Sequence, residues 1–114
     1  KLSFTLLLSG DSQIKKLNKK FRKKNKITDV LSFPFHEKVT LYKLINKNNN
    51  NIYLGDIIIN LSEIIKKSKK QNFLITFNKL WIHGLTHLLG YQHKSNKDFF
   101  AMQRLENRII KSIQ

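Results

Sequence analysis

Three of the chain's four histidines crowd into HGLTHLLGYQH, residues 83–93, spaced four and then six apart. Residues four apart on an α-helix share one face and rise by about 6 Å along its axis. His83 and His87 can therefore aim their imidazoles at one point. Zinc takes imidazole nitrogens at about 2.0–2.1 Å in a tetrahedron, so two ligands on one helix need a third from elsewhere. Gly90 lets the chain leave the helix and turn, which would swing His93 back beside the first pair. Three neutral histidines with one open position form the donor set of a catalytic zinc, not of a closed structural one. One zinc ion per chain is expected on His83, His87 and His93, although nickel or another imidazole-binding metal suits the same nitrogens. The competing reading is a buried apolar helix with incidental histidines; the crowding, the spacing and the glycine break weigh against it.

The segment is not H-E-x-x-H. Gly84 stands where zinc peptidases carry a glutamate base, and no acidic residue occurs between Glu63 and Asp98. Peptidase chemistry lacks its usual general base. Hydrolysis of a phosphodiester asks less of the protein, because zinc both activates water and polarises a phosphoryl oxygen.

The elements that must position these residues can be read from pattern. Residues 2–8 read as a strand. SGDS follows as a turn, with Asp11 or Ser12 as a helix cap. Ile14, Leu17 and Phe21 recur at helical spacing with lysines opposite, and that helix should end near Asn25. Residues 27–35, ITDVLSFPF, read as a second strand limited by Pro34, and a short strand is expected around residues 39–44. The run NKNNNN reads as a loop. Residues 52–60, IYLGDIIIN, have the β-branched content of a buried strand. Asn60 and Glu63 resemble a capping box that opens a helix over residues 61–70. The next helix carries Phe73, Phe77, Leu80, Trp81 and Leu85 towards the core and stops at Gly90. Ser95 starts a last helix with Phe99, Met102, Leu105 and Ile109 as its apolar stripe. The expected fold is one α+β domain, residues 1–114, built on a mixed sheet of about four strands with packed helices.

Whole-chain properties bound the function. The 114 residues fit a single domain. Lys and Arg number 22 against 7 Asp and Glu, a formal charge of +15. Such a balance suits a polyanion binder, but the joint abundance of Lys, Asn and Ile also follows from AT-biased coding, and charge alone does not choose between them. KKLNKKFRKKNK, residues 15–26, holds eight cations in twelve positions with no acid, and attracts phosphates by counterion release whatever its origin. No apolar run reaches the ~18 residues of a membrane span, and LSFTLLL lacks a signal-peptide cleavage site. A soluble, cytoplasmic protein without membrane association is expected. There are no cysteines, which excludes disulfides, thiolate nucleophiles and cysteine-type zinc sites. The chain begins at Lys1 instead of Met, so an N-terminal piece is expected to be missing.

His83-Gly84-x-x-His87-x-x-Gly90-Tyr91-x-His93 resembles the signature of the YbeY family of endoribonucleases. TDVLSFPF (28–35), LGDIII (54–59), LNKKFRKKNKITDVLSF and HKSNKDFFAMQRLENRII resemble further family segments in the family's order, so the resemblance spans essentially the whole chain. It implies a metal-dependent, single-strand-specific endoribonuclease. It implies action on ribosomal RNA, in maturing the 3′ end of the small-subunit RNA and in ribosome quality control. Its partners would be single-stranded RNA, ribosomal RNA and the small ribosomal subunit or its assembly proteins. It also implies that Arg22 faces the metal cleft and contacts phosphate, since a guanidinium bridges two phosphate oxygens; by charge alone Arg22 is one more cation on a solvated face. Ser32 and Phe33 would shape the cleft floor. Asp29 is expected to hold a loop or backbone amide, Trp81 and Tyr91 to pack, and His36 to lie exposed. Two departures stand out. The family's first strand and helix are absent, and Gln92 replaces the usual Asp, so a carboxylate role at that position does not carry over. The rival readings are an RNA-binding ribosome-assembly factor with a structural zinc, and a zinc peptidase.

Overall fold

Strand β3 (Ile52–Asn60) is the centre of the molecule: seven of its nine residues are buried, all but Tyr53 and Asp56. The computed structural model describes residues 1–47, 51–92 and 95–113. His93 and part of the asparagine run expected to be a loop lie outside these residues. β1 (Leu2–Ser9) runs parallel to β3 and β2 (Val30–Pro34) antiparallel to it, giving the order β1-β3-β2. The sheet is mixed, as expected, but has three strands among the described residues instead of about four.

The difference lies partly at residues 38–46. These form a helix, α2 (Lys38–Asn46), where a short strand was expected around residues 39–44. Leu41, Leu44 and Ile45 stand three and four apart and are the residues this segment turns to the core. That spacing serves a helix, and it outweighs the strand preference of Val39, which stays exposed.

Each face of the sheet has its own apolar layer. On one side α1 (Asp11–Arg22) sets Ile14 against Leu31 and Ile58. On the other, Ile52, Leu54, Ile57 and Ile59 meet Leu41 of α2, Ile64 of α3 (Leu61–Lys67), and Leu80 and Leu88 of α4 (Phe73–Leu88). The alternation of Ile57, Ile58 and Ile59 between these layers is the two-residue strand period. α5 (Asn96–Ile113) lies against α4 and buries Met102. No helix is long and apolar enough to cross a membrane among the described residues.

Local chemistry explains most boundaries. α1 stops at Arg22, short of the expected Asn25, because Lys23 takes the left-handed conformation and the Lys23 and Lys24 amides turn back onto the Lys19 and Asn18 carbonyls. Neither Asp11 nor Ser12 caps that helix; its cap is Gly10, and Asp11 instead accepts a 2.6 Å hydrogen bond from Asn60. The buried Asn60 side chain also caps α3 through the Ser62 amide and donates to the Thr28 carbonyl. Gly55 has φ 137°, and a Cβ there would lie 2.3 Å from the Phe33 carbonyl. It sits at the register shift between β1 and β3, where only glycine fits.

Candidate metal centre

Helix α4 approaches the sheet most closely at Gly84, and this fixes where the histidines go. A Cβ on Gly84 would lie 2.7 Å from a methyl of Ile57 and 3.1 Å from the Ser32 hydroxyl. Ser32 donates that hydroxyl to the Gly84 carbonyl at 3.1 Å. With residue 84 against the sheet, His83 and His87 stand on a flank of α4, both half-buried. The same geometry denies the site a glutamate at residue 84, since a side chain there would enter the core. This is a structural argument against the peptidase reading.

Each imidazole is held by its Nδ1 atom. His83 Nδ1 lies 2.8 Å from Glu106 Oε1, on α5. His87 Nδ1 lies 2.9 Å from the Tyr91 carbonyl. The Tyr91 carbonyl is delivered by the turn that ends α4: Gly90 has φ 97°, its amide bonds the His87 carbonyl, and the Tyr91 amide bonds the Thr86 carbonyl. Tyr42 of α2 donates to the Leu89 carbonyl in this turn at 3.4 Å. Burial, and secondly the nearby Tyr91, push the Tyr42 phenol up from its usual range, so it stays a neutral donor.

Each Nδ1 atom meets an oxygen that can accept a hydrogen bond, so a ring that carries its hydrogen on Nδ1 presents the Nε2 lone pair on its other side. Those two Nε2 atoms face each other at 3.2 Å, with the rings nearly perpendicular at 89°. Two lone pairs at that distance repel unless a cation lies between them. A tetrahedral zinc with bonds of about 2.0–2.1 Å separates neighbouring nitrogens by about 3.3 Å, so the pair fits the metal. A shared proton is the other cation that satisfies the same distance. No group of three or more metal-ligating side chains is assembled among the described residues, and the expected third ligand, His93, is not among them.

Glu106 was not singled out in the sequence. It lies one residue past Leu105 in the apolar stripe of α5, a position that fixes its flank but not which helix that flank meets. Its contact with His83 is of the kind that orients imidazoles at metal sites. An open cleft of about 550 Å³ adjoins this pair, lined by His83, Glu106, Lys79, Asn107, Asp29 and others.

Arg22 ends α1 and donates to the Ser32 carbonyl, with its guanidinium carbon 5.4 Å from the centre of the Phe33 ring. It is thus linked through Ser32 to Gly84, the residue that follows His83 on α4. Asp29 pairs with Lys67 at 3.1 Å, and its carbonyl accepts from the Asn60 amide, both structural contacts. Trp81 stacks on Phe4 and donates to Asn78, a packing role. Tyr91 lies under Lys38, and His36 packs edge-on against Phe35, half-buried instead of exposed. Gln92 is exposed and borders a small cleft that Asp98 also lines.

The family model described as endoribonuclease YbeY matches residues 1–114. The chain is 46% identical to the endoribonuclease YbeY of Pelagibacter ubique, over the whole chain and 71% of that relative. Identity to the Thermodesulfovibrio yellowstonii protein of that name is 35%, covering 99% of the chain and 68% of the relative. A solution structure of a Thermotoga maritima protein superposes with a TM-score of 0.56 at 24% identity, over 98% of this chain and 71% of that one, a likeness of fold.

Proposed function

Because the chain belongs to the endoribonuclease YbeY family, we propose that it is a zinc-dependent hydrolase that cleaves single-stranded RNA. On this reading it acts in maturing the 3′ end of small-subunit ribosomal RNA and in ribosome quality control, in the cytoplasm, beside the small subunit or its assembly proteins. The observation that carries the proposal is the pair of Nε2 atoms converging at 3.2 Å.

His83 and His87 would hold the ion, with His93 as the proposed third ligand. Bound zinc supplies a positive charge that makes water a better nucleophile near neutral pH and polarises a phosphoryl oxygen. The chain's own residues do the rest. Glu106 and the Tyr91 carbonyl fix the tautomers, so that both nitrogens face the same point at no cost in reorganisation. Arg22 is assigned the phosphate charge that grows as the nucleophile adds, a task suited to a planar two-pronged donor. The cationic segment 15–26 raises the local concentration of RNA.

The test is cleavage of a single-stranded RNA by the zinc-loaded chain, beside a His87→Ala variant from an identical preparation. Cleavage should follow His87 and stop with chelator. Equal cleavage by both, or RNA binding by both without cleavage, would favour a ribosome-assembly factor with a structural metal.

A further inference from the structure

The face of the sheet opposite α4 is only partly covered. α1 packs Ile14 onto Leu31 and Ile58 and ends at Arg22. Leu31, Phe33 and Phe35 alternate onto this face along β2 and its continuation. Beyond the end of α1 lies a run of aromatic rings. Phe21 meets Phe33 edge-on at 5.4 Å, and Phe35 meets Tyr53 edge-on at 5.6 Å. Phe21 is 55% exposed and Phe35 66% exposed.

Two of these rings, Phe21 and Phe33, lie beside cations, while Tyr53 donates its hydroxyl to the Asp56 carboxylate. Lys20 Nζ lies 5.2 Å from the centre of the Phe21 ring, and Arg22 lies over Phe33. Lys23, Lys24 and Lys26 follow directly in the chain, all exposed. A solvent-facing set of aromatic rings costs stability and solubility without an occupant. Aromatic rings flanked by Lys and Arg on an open sheet face suit the π-faces and phosphates of an unpaired nucleic-acid strand.

We propose that Phe21, Phe35 and Tyr53 form a stacking platform for unpaired bases of single-stranded RNA, with Lys20, Arg22 and the lysines after them binding the intervening phosphates. The inference rests on the RNA-directed reading of the histidine site. It adds a binding surface beside that site, joined to it at Arg22, and sets where the strand runs. β2 is an edge strand with this platform on one face and, through the Ser32 hydroxyl and Gly84, the histidine helix on the other. Arg22 sits at that edge, bonded to the Ser32 carbonyl. A strand anchored by stacking on the platform passes Arg22 to reach the histidines. Stacking reads π-faces and not base edges, so this surface gives preference for unpaired over duplex RNA with little sequence preference.

The experiment is binding of a labelled single-stranded RNA, followed by fluorescence anisotropy over a salt series with chelator present so that no cleavage occurs. Replacing both Phe21 and Phe35 by Ala should weaken binding about tenfold or more and leave the slope of log affinity against log salt unchanged. Lys24→Ala should reduce that slope by about 0.7, the share of one phosphate contact. Phe35→Trp should keep the affinity, and its added fluorescence should be quenched on RNA binding, a signal that does not depend on loss of function. Unchanged affinity in the double variant with no quenching in Phe35→Trp overturns the proposal and leaves the face to a protein partner. The metal reading is untouched by that result, since dependence of cleavage on His87 is measured separately.

Discussion

Nδ1 chemistry decides what the histidines can do. The two hydrogen bonds that pin His83 and His87 come from different elements, a carboxylate on α5 and a carbonyl in the Gly90 turn. Together they leave the two Nε2 atoms 3.2 Å apart and aimed at one point. Glu106 should therefore matter for metal affinity more than for folding. Glu106→Ala is expected to weaken zinc binding about 10–100-fold, the usual cost of losing such a partner, with the circular dichroism spectrum preserved. Glu106→Gln keeps an accepting oxygen and loses the charge, so it should fall between. A competition titration against a chelating dye checks this, and equal affinity in all three proteins would remove Glu106 from the site. His83 and His87 were legible in the sequence because a four-residue interval on a helix has one geometrical meaning. Glu106 was not, because no local pattern says which face of α5 meets α4.

Gly84 links the element scale to the site. It brings α4 onto β2 and β3 closely enough for the Ser32 hydroxyl to reach a helix carbonyl. Gly84→Ala gains helix propensity of about 1 kcal/mol. It also drives a methyl to 2.7 Å from Ile57, a residue with 0% exposure and no room to yield. The clash should win, with a net loss of about 1–2 kcal/mol measured by urea denaturation; a neutral or stabilising result would show that α4 can lift from the sheet freely. The strands around β3 and the C-terminal end of α4 were readable, since β-branched runs and a helix-ending glycine are strong local signals. The segment 38–46 was misread because a few apolar residues fit a strand or a helix equally until their core contacts are known. The end of α1 escaped notice because Lys23, a residue with no special turn preference, takes the left-handed conformation.

At the scale of the whole molecule, the sheet separates two surfaces with different tasks. One face carries the helix with the histidine pair; the other carries exposed rings among cations. The net charge of +15 draws RNA to the molecule, but charge does not say where the strand lies. The sequence marked the basic segment and could not show that it borders aromatic rings from β2 and β3, because that neighbourhood exists only once the sheet is formed. Among the described residues the sheet has three strands, and the chain spans 71% of the length of the Pelagibacter relative.

His83 and His87 are proposed to share a metal ion, not a proton. This is tested most directly by calorimetric titration of the metal-stripped chain with zinc, beside His83→Ala and His87→Ala variants. One ion should bind per chain, and binding should be lost or weakened by orders of magnitude in both variants while their helical content is retained. A chain that binds no zinc, or variants that bind it as the parent does, would rule out a shared metal and leave the short nitrogen–nitrogen distance to a shared proton.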